Sequence, residues 1–530
     1  MRAWWLVAGV LIAAFLARGP LYLAVFPPFE GWDEYQHLAY IVHLDQTGTI
    51  PVLGEAPVSL ALRPLVISLP HSPWGTDQVK EWGAVSYDDY WKAPAPNAAT
   101  APPVSSSFRL YQAQHPPLAY VLALPIWRAL KTPHPLEAIY AIRAMNLLLV
   151  AAALVLFAGA LTRLVPAFAP RVAVLALVCL HPLFFQNVAR VANDSLALAT
   201  GVAGISMLVL ADGRTLLTRG LLAAVCIAAS TWSKQTGLTL MPALILGLPL
   251  IGWAHGVPAR RLWRVTGIVG IVLLLLVAPL WLWSYHHYGA IVTTQESLEL
   301  GLKGPVVSAL ANSLRNLAWG PLVDTLFVPG RPWVGGWSFL AVQDTLARVY
   351  GWCWTILLAA AGIGAVVAIL RRARAAGPAA SGAGTAAGLA VCATVVIFTA
   401  LGMIHHAVVS HAVFGRSTTN PWYFMTALPF LFVLLVRGME ALSHRLAAAG
   451  AAALAVLFVA IDLHGTWVQM PASYASTTDA ALQWSRLTAI HPAILSGDFR
   501  WLFLATQLAA LCLVVAGLVY ASRLERSVRL

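Results

Sequence analysis

HPPLAYVLALPIWRALK, residues 115–131, is the stretch whose reading decides how this chain is arranged. Its apolar part, Pro117 to Trp127, runs for about eleven residues before Arg128 and Lys131 interrupt it. A helix needs about 20 apolar residues to cross a bilayer. The stretch is therefore predicted to lie in the membrane interface rather than to span it. Every later loop depends on this choice, because one extra crossing would move each of them to the opposite side.

The rest of the chain is unmistakably membrane-like. Of its 530 residues 59% are hydrophobic and only 10% are charged, against roughly 25% charged in a soluble chain. So few charges cannot cover a water-facing surface of this size. The net charge of +12 comes from 33 basic and 21 acidic residues. The arginines stand in short clusters between apolar runs, the pattern of topology signals rather than of a nucleic-acid surface. Cys179, Cys226, Cys353, Cys392 and Cys512 are scattered in or beside apolar runs, with neither metal-ligand spacing nor a disulfide framework.

Working outward from 115–131, apolar runs predict spans near Trp4–Val25, Ala138–Leu161, Val172–Phe185, Ser195–Leu210, Leu221–Trp232, Gly237–Trp253, Val265–Trp283, Val349–Leu370, Ala386–Ile404, Trp422–Val436, Ala447–Ile461 and Leu502–Tyr520, about twelve in all. The first reads as an uncleaved span rather than a signal peptide, since many others follow. With 117–127 not crossing, the basic connections fall on one side. These are Arg163 and Arg171; Arg214 and Arg219; Arg260, Arg261 and Arg264; Arg371, Arg372 and Arg374; Arg437 and Arg445; and Arg523, Arg526 and Arg529. The positive-inside rule makes that side cytoplasmic, with both termini there, in a cell (inner or plasma) membrane. Three large loops, 26–137, 284–348 and 462–500, then lie outside. Residues 375–388 read as a flexible cytoplasmic linker. The expected division is a transmembrane module over 1–285 and a more variable one over 286–530.

Polar residues gather on the external side. Glu30-Gly31-Trp32-Asp33-Glu34-Tyr35-Gln36-His37 follows the first span. Asp33 and His37 share a face if this region is helical. The plain alternative is a helix cap at Asp33. Asp33, Glu34 and His37 are also a candidate ligand set for a divalent metal, whose presence is left open. Gln114 and His115 precede the prolines that start the interfacial stretch. Arg190-Val191-Ala192-Asn193-Asp194-Ser195 forms the next external turn, with Asn193 or Asp194 a candidate N-cap. Lys234 ends the fifth span, where it either snorkels or meets a lipid phosphate. Arg416, in Gly415-Arg416-Ser417-Thr418, suits bidentate phosphate recognition. Trp32, Trp74, Trp82, Trp91, Trp333 and Trp337 are candidates for stacking on a sugar or for an interfacial belt. Acids and cations at one membrane surface suit attack by a hydroxyl or amine on a phosphate-activated lipid. An acid takes the proton and the cations hold the departing phosphate.

In order and spacing these motifs resemble the GT-C superfamily of polyprenyl-phosphate-dependent glycosyltransferases. The resemblance is to the protein-mannosyltransferase and aminoarabinose-transferase-like branch. The elements are Asp33-Glu34 after the first span, Gln114-His115-Pro116-Pro117 opening an interfacial helix, Asn193-Asp194-Ser195, Ser233-Lys234-Gln235-Thr236-Gly237, and Gly415-Arg416. They cover most of the first 285 residues and then thin out. The resemblance implies an all-α polytopic fold and an inverting hexosyl- or pentosyltransferase. It implies a polyprenyl-phosphate sugar as donor and a glycan, lipid or protein as acceptor. Asp33, Glu34 and Asp194 would form the catalytic acids, with Asp33 the base. Lys234, Arg416 and Arg190 would hold the donor phosphate, and His37, Gln114, His115 and Asn193 would line the cavity. Ser417 stands where the family has an aromatic residue, and Gln-His stands before Pro116 where it has Glu-Lys. Two other readings fit about twelve spans: a transporter, disfavoured because span interiors are almost free of charge, and a non-catalytic lipid-binding protein.

Overall fold

A computed structural model describes residues 2–93, 108–302, 305–320, 322–323, 335–374, 382–416 and 420–491, with isolated positions beyond. The predicted span Leu502–Tyr520, Trp333, Ser417, Thr418 and the first half of the linker lie outside the described residues. Among the described residues the chain is helical, with two isolated β-bridges and no strand. Every backbone polar group inside a bilayer needs an internal partner, and a helix supplies it within one segment.

In chain order the elements that matter are α1 (Arg2–Val25), α2 (Glu34–Thr47), α3 (Leu118–Leu130), α4 (Pro135–Leu164), α5 (Phe168–Leu180), α6 (Pro182–Val188), α7 (Asp194–Val209), α8 (Leu216–Ser233), α9 (Met241–Ala254), α10 (Ala259–Tyr288), α11 (Asp344–Arg374), α12 (Ala383–Phe414), α13 (Leu428–Leu442) and α14 (His444–His464). Eight helices among the described residues are long and apolar enough to cross a membrane, and the bent pair α5–α6 makes a ninth. The chain is thus an all-α polytopic membrane protein. α9 reaches 20 residues only together with the turn 235–240 that leads into it, and two other predicted spans come out short. α7 has 16 residues and α13 has 15, or about 24 Å and less at 1.5 Å per residue. α7 is nearly all buried, walled by α4 and α8, so it needs no full lipid-facing length.

The predicted third span breaks at His181-Pro182, with a bend of 44°. Proline has no N–H to continue the helix, and His181 Nδ1 instead accepts from the Leu183 amide at 3.2 Å. The break leaves the carbonyls of Cys179 and Leu180 free of helix bonds, and Arg18 in α1 donates to both, at 2.9 and 3.4 Å. Arg18 also pairs with Asp462 of α14 at 2.8 Å, and Tyr22 donates to the same carboxylate. The expectation of almost charge-free span interiors therefore has a clear exception. Both charges are only about 3% exposed and answered by helix groups, as buried ions require.

The stretch 118–130 forms one 13-residue helix beside α2 and α4. Its start stacks Tyr120 on Tyr40 of α2 at 3.9 Å, and its end presents Arg128 and Lys131 to Asp45 near the end of α2. α2 and α3 thus run side by side. The chain leaves α1 at Phe26 and returns as α4 at the same end of the bundle, since Arg143 of α4 donates to the carbonyls of Phe26 and Pro27 at 2.7 and 3.0 Å. Among the described residues, the opposite end holds arginine-bearing connections, while Arg523, Arg526 and Arg529 lie outside the described residues. There Thr385 donates to the Arg163 carbonyl at 3.0 Å, and Arg371 donates to that of Ala441 at 3.1 Å.

Candidate active site

The segment after α1 must turn sharply to bring its acids under the bundle end. Phe29 and Asp33 take left-handed backbone, with φ of 68° and 54°, a conformation that costs a non-glycine residue about 1–2 kcal/mol. Gly31 lies so close to Arg190 that a Cβ there would stand 2.7 Å from the Arg190 Cβ. The loop is pinned through Glu34. Its fully buried carboxylate accepts from Arg143 Nε (2.8 Å) and Nη2 (2.6 Å), from the Phe29 amide (2.8 Å) and from the Val191 amide (2.6 Å). Glu34, expected among the catalytic acids, is a structural anchor in this arrangement. Its lone pairs are committed, and it joins α1, α4 and the turn after α6.

Asp33 sits at the N-cap position of α2, yet its side chain makes no capping bond; its carbonyl accepts from the Gln36 and His37 amides. The plain cap reading thus fails for its carboxylate. Burial pushes that carboxyl up, against the pull of the Arg190 and Lys234 charges, to about 6. Asp194, at the start of α7, receives Lys234 Nζ on Oδ1 at 2.6 Å and Arg190 Nη2 on Oδ2 at 2.8 Å. Arg190 further donates to Asn187 Oδ1 (2.7 Å) and to the Trp32 carbonyl (3.2 Å). Arg190, expected as a phosphate ligand, is buried beneath the Asp33 loop and holds it. Lys234 keeps donors beyond its bond to Asp194 and lies 5.3 Å over the Tyr423 ring. It is aimed by the turn 235–240, which folds back because Gly237 has no Cβ. A Cβ there would stand 2.5 Å from the Thr231 nitrogen.

Around this cluster, His37 Nδ1 contacts the Tyr120 hydroxyl at 2.8 Å, and its ring stacks on His115 at 6.1 Å. Burial lowers both imidazoles, His115 to about 3, so both are neutral at pH 7. Asn193 donates to the Ser233 carbonyl at 2.9 Å, and Gln114 accepts from the Gln295 amide at 3.0 Å. Asp33, Asp194, Lys234, Arg190, His37, Asn193, Gln114 and His115 therefore fall at one end of the bundle. Arg416 is exposed just past α12 and, among the described residues, forms no ion pair with these acids. Also among them, no three His, Cys, Asp or Glu side chains group as metal ligands. The proposed set Asp33, Glu34 and His37 does not form, because Arg143 occupies Glu34.

Arg143, Gln112, Tyr423 and Glu30 have no role assigned from the sequence, yet all four join the site. Arg143 had a visible signal, a charge inside an apolar run. Gln112 is the neutral side chain that pulls the Asp33 carboxyl down against its burial. Glu30 ties the second large loop to the first, since its carbonyl accepts from the Trp337 amide at 2.8 Å and its carboxyl from the Ser338 amide at 2.6 Å. This strap puts Trp337 and Phe339 against Trp32, 5.1 and 4.6 Å between ring centroids, with Trp422 stacked at 4.7 Å. Burial raises the Glu30 carboxyl to about 7. Its folded value exceeds its unfolded one, so the folded state gives up stability as pH rises from about 4.5 to about 7. Glu30→Gln keeps an acceptor for Ser338 and is expected to flatten that slope, read as melting temperature at pH 5.5 and pH 8. An unchanged slope would assign the titration to another group.

No family model and no curated protein sequence matches the chain. Among solved structures it is similar to the crystal structure of the Archaeoglobus fulgidus oligosaccharyltransferase in its apo form. The TM-score is 0.42 and the identity 13%, over 93% of this chain and 60% of that one. The chain spans about 60% of the length of that structure.

Proposed function

We propose that the protein is a membrane glycosyltransferase. It would move a sugar from a polyprenyl-phosphate donor to a hydroxyl or amine acceptor at the external membrane surface, with Asp33 as general base. The observation that carries this reading is the state of Asp33. Its carboxyl has no capping duty, stands on left-handed backbone, is raised by burial to about 6, and lies beside the Asp194–Lys234–Arg190 cluster. Strain and a shifted carboxyl at one position mark a working group rather than a scaffold.

In the proposed step the acceptor oxygen or nitrogen attacks the anomeric carbon and forms the new bond while its proton passes to Asp33. The bond from the anomeric carbon to the phosphate oxygen breaks, and the phosphate leaves with the electron pair. Lys234 steadies that charge with the donors it does not spend on Asp194. Asp194 aims Lys234, and Arg190 holds the Asp33 loop through the Trp32 carbonyl. Arg416, exposed just past α12, would be a second ligand to the phosphate. A single displacement inverts the anomeric centre.

A base that titrates near 6 is silenced when protonated. Transfer, measured as kcat/KM with a polyprenyl-phosphate sugar, is expected to fall about tenfold per pH unit below 6 and to level off above 7. A rate flat from pH 4.5 to 8 would remove Asp33 as the base.

A further inference from the structure

Of the six loop tryptophans that are candidates for stacking, three meet among the described residues. Trp82 is buried and Trp91 is covered by Arg486, but Trp74 lies 6.1 Å from Trp337 and 6.0 Å from Phe339. Both of those rings meet Trp32, and Trp32 stacks on Trp422. Trp422 in turn lies 5.8 Å from Tyr423, the ring under Lys234. The row thus starts at the surface, where Trp74 is 45% and Phe339 42% exposed, and ends beside Asp33 and Lys234. A contiguous patch of exposed rings marks a binding surface, where single exposed rings mark nothing. The strap 335–340 is shaped to present it. Gly336 passes so close to Glu30 that a Cβ there would collide with the Glu30 carbonyl oxygen. Phe339 takes left-handed backbone, with φ of 51°, at the usual cost for a residue with a Cβ. Its ring stands edge-on to Trp32 and Trp74, at 78° and 86°. Trp337 Nε1 is buried and, among the described residues, has no hydrogen-bond acceptor, which is costly to keep.

We infer that this row is the platform on which a saccharide acceptor lies while its hydroxyl is brought to Asp33. The inference rests on the transferase reading above and narrows its acceptor class. Ring faces suit the C–H faces of a pyranose, and the Trp337 N–H suits one of its hydroxyls. The charged groups behind the row are already spent. Glu30 accepts from the Ser338 amide and the Tyr87 hydroxyl, and Arg190 donates to Asn187, Asp194 and the Trp32 carbonyl. A peptide is recognised by strand edges, grooves or charge, and among the described residues there is no strand to extend. A prenyl chain is the poorer occupant, since the strap is not helical and irregular backbone of this kind does not face the hydrocarbon core. An interfacial belt would turn its indole N–H groups to the headgroups, whereas that of Trp337 is buried.

The test uses the full chain in lipid nanodiscs and isothermal titration. The probes are cellotriose, maltotriose, mannotriose and chitotriose, a capped Ala-Ala-Ser-Thr-Ala-Ala peptide, and citronellyl phosphate. At least one trisaccharide is expected to bind. Trp74→Ala should weaken it about fivefold and leave citronellyl phosphate unchanged. Phe339→Ala should do the same and serves if the first variant does not fold. Trp337→Phe keeps a ring and loses the N–H, so it should weaken the trisaccharide about threefold. If no trisaccharide binds, or if one binds equally well to all three variants, the inference fails. Peptide binding that these substitutions abolish would make the row a peptide platform and also overturn it. Each of these results leaves the transferase reading standing while citronellyl phosphate binds. Failure of citronellyl phosphate to bind the wild type would overturn the transferase reading, and the acceptor role with it.

Discussion

Asp33→Asn is expected to reduce sugar transfer by about 10³-fold, within the range of general-base losses, while donor affinity and folding stay near wild type. The amide keeps the size of the side chain and can still meet Gln112, so the left-handed turn and the α2 start are undisturbed. What disappears is the proton acceptor. Because the folded protein raises this carboxyl to about 6, removing it also removes a group the fold keeps partly against its preference; the variant is expected to be as stable as the wild type or more so at pH 8. Kinetics and a melting curve on the same preparation separate the roles. A large rate loss with an intact melt fits a base, whereas a parallel loss of both would make Asp33 a structural residue. Asp194→Asn should behave differently. It strips Lys234 and Arg190 of a buried counter-ion, so donor affinity and stability fall together.

The largest stability effect is expected at Arg143. Arg143→Ala leaves Glu34 buried with a charge and only two backbone amides. Breaking one side of a buried ion pair costs about 3–5 kcal/mol, and here the guanidinium also closes the carbonyls of Phe26 and Pro27. The variant should yield little folded protein, seen as loss of the monodisperse peak on size-exclusion chromatography. The double change Glu34→Gln with Arg143→Met removes both charges and is expected to recover most of the folded yield, since apolar replacement of a whole buried pair is often neutral. If Arg143→Ala folds normally, the pair does not hold the first loop to the bundle.

These two positions show what the sequence made legible. The apolar runs predicted most helices, because burial in lipid leaves a one-dimensional trace. The short run at 117–127 predicts a helix that does not cross, and parity predicts Asp33, Glu34, Asp194, Lys234 and Arg416 on one side; the structure has a 13-residue helix there and brings Asp33, Asp194 and Lys234 together. Pairing over distance left no such trace. Glu34 and Arg143 are 109 positions apart, and Arg18 and Asp462 are 444 apart, so neither contact has a local pattern. Glu34 belongs to the acidic pair that the resemblance makes catalytic; the αL turn at Asp33 separates the two, sending one carboxyl toward the cluster and the other into the packed interior. Arg190, which the resemblance places on the donor phosphate, spends its guanidinium on Asn187, Asp194 and the Trp32 carbonyl, none of which its sequence neighbours alone announce. The buried Arg18–Asp462 pair is a charge contact of the kind a transporter needs, and its closure by Tyr22 and by the carbonyls of the broken span gives it a sufficient structural role.

The most direct measurement is mass spectrometry of the lipids that co-purify with the wild type and with Asp33→Asn from the native membrane. The glycosyltransferase account predicts an intact polyprenyl-phosphate sugar enriched in Asp33→Asn, with the sugar-free polyprenyl phosphate predominating in the wild type. Purification of both proteins without any isoprenoid phosphate, or with a small polar solute in its place, would contradict it.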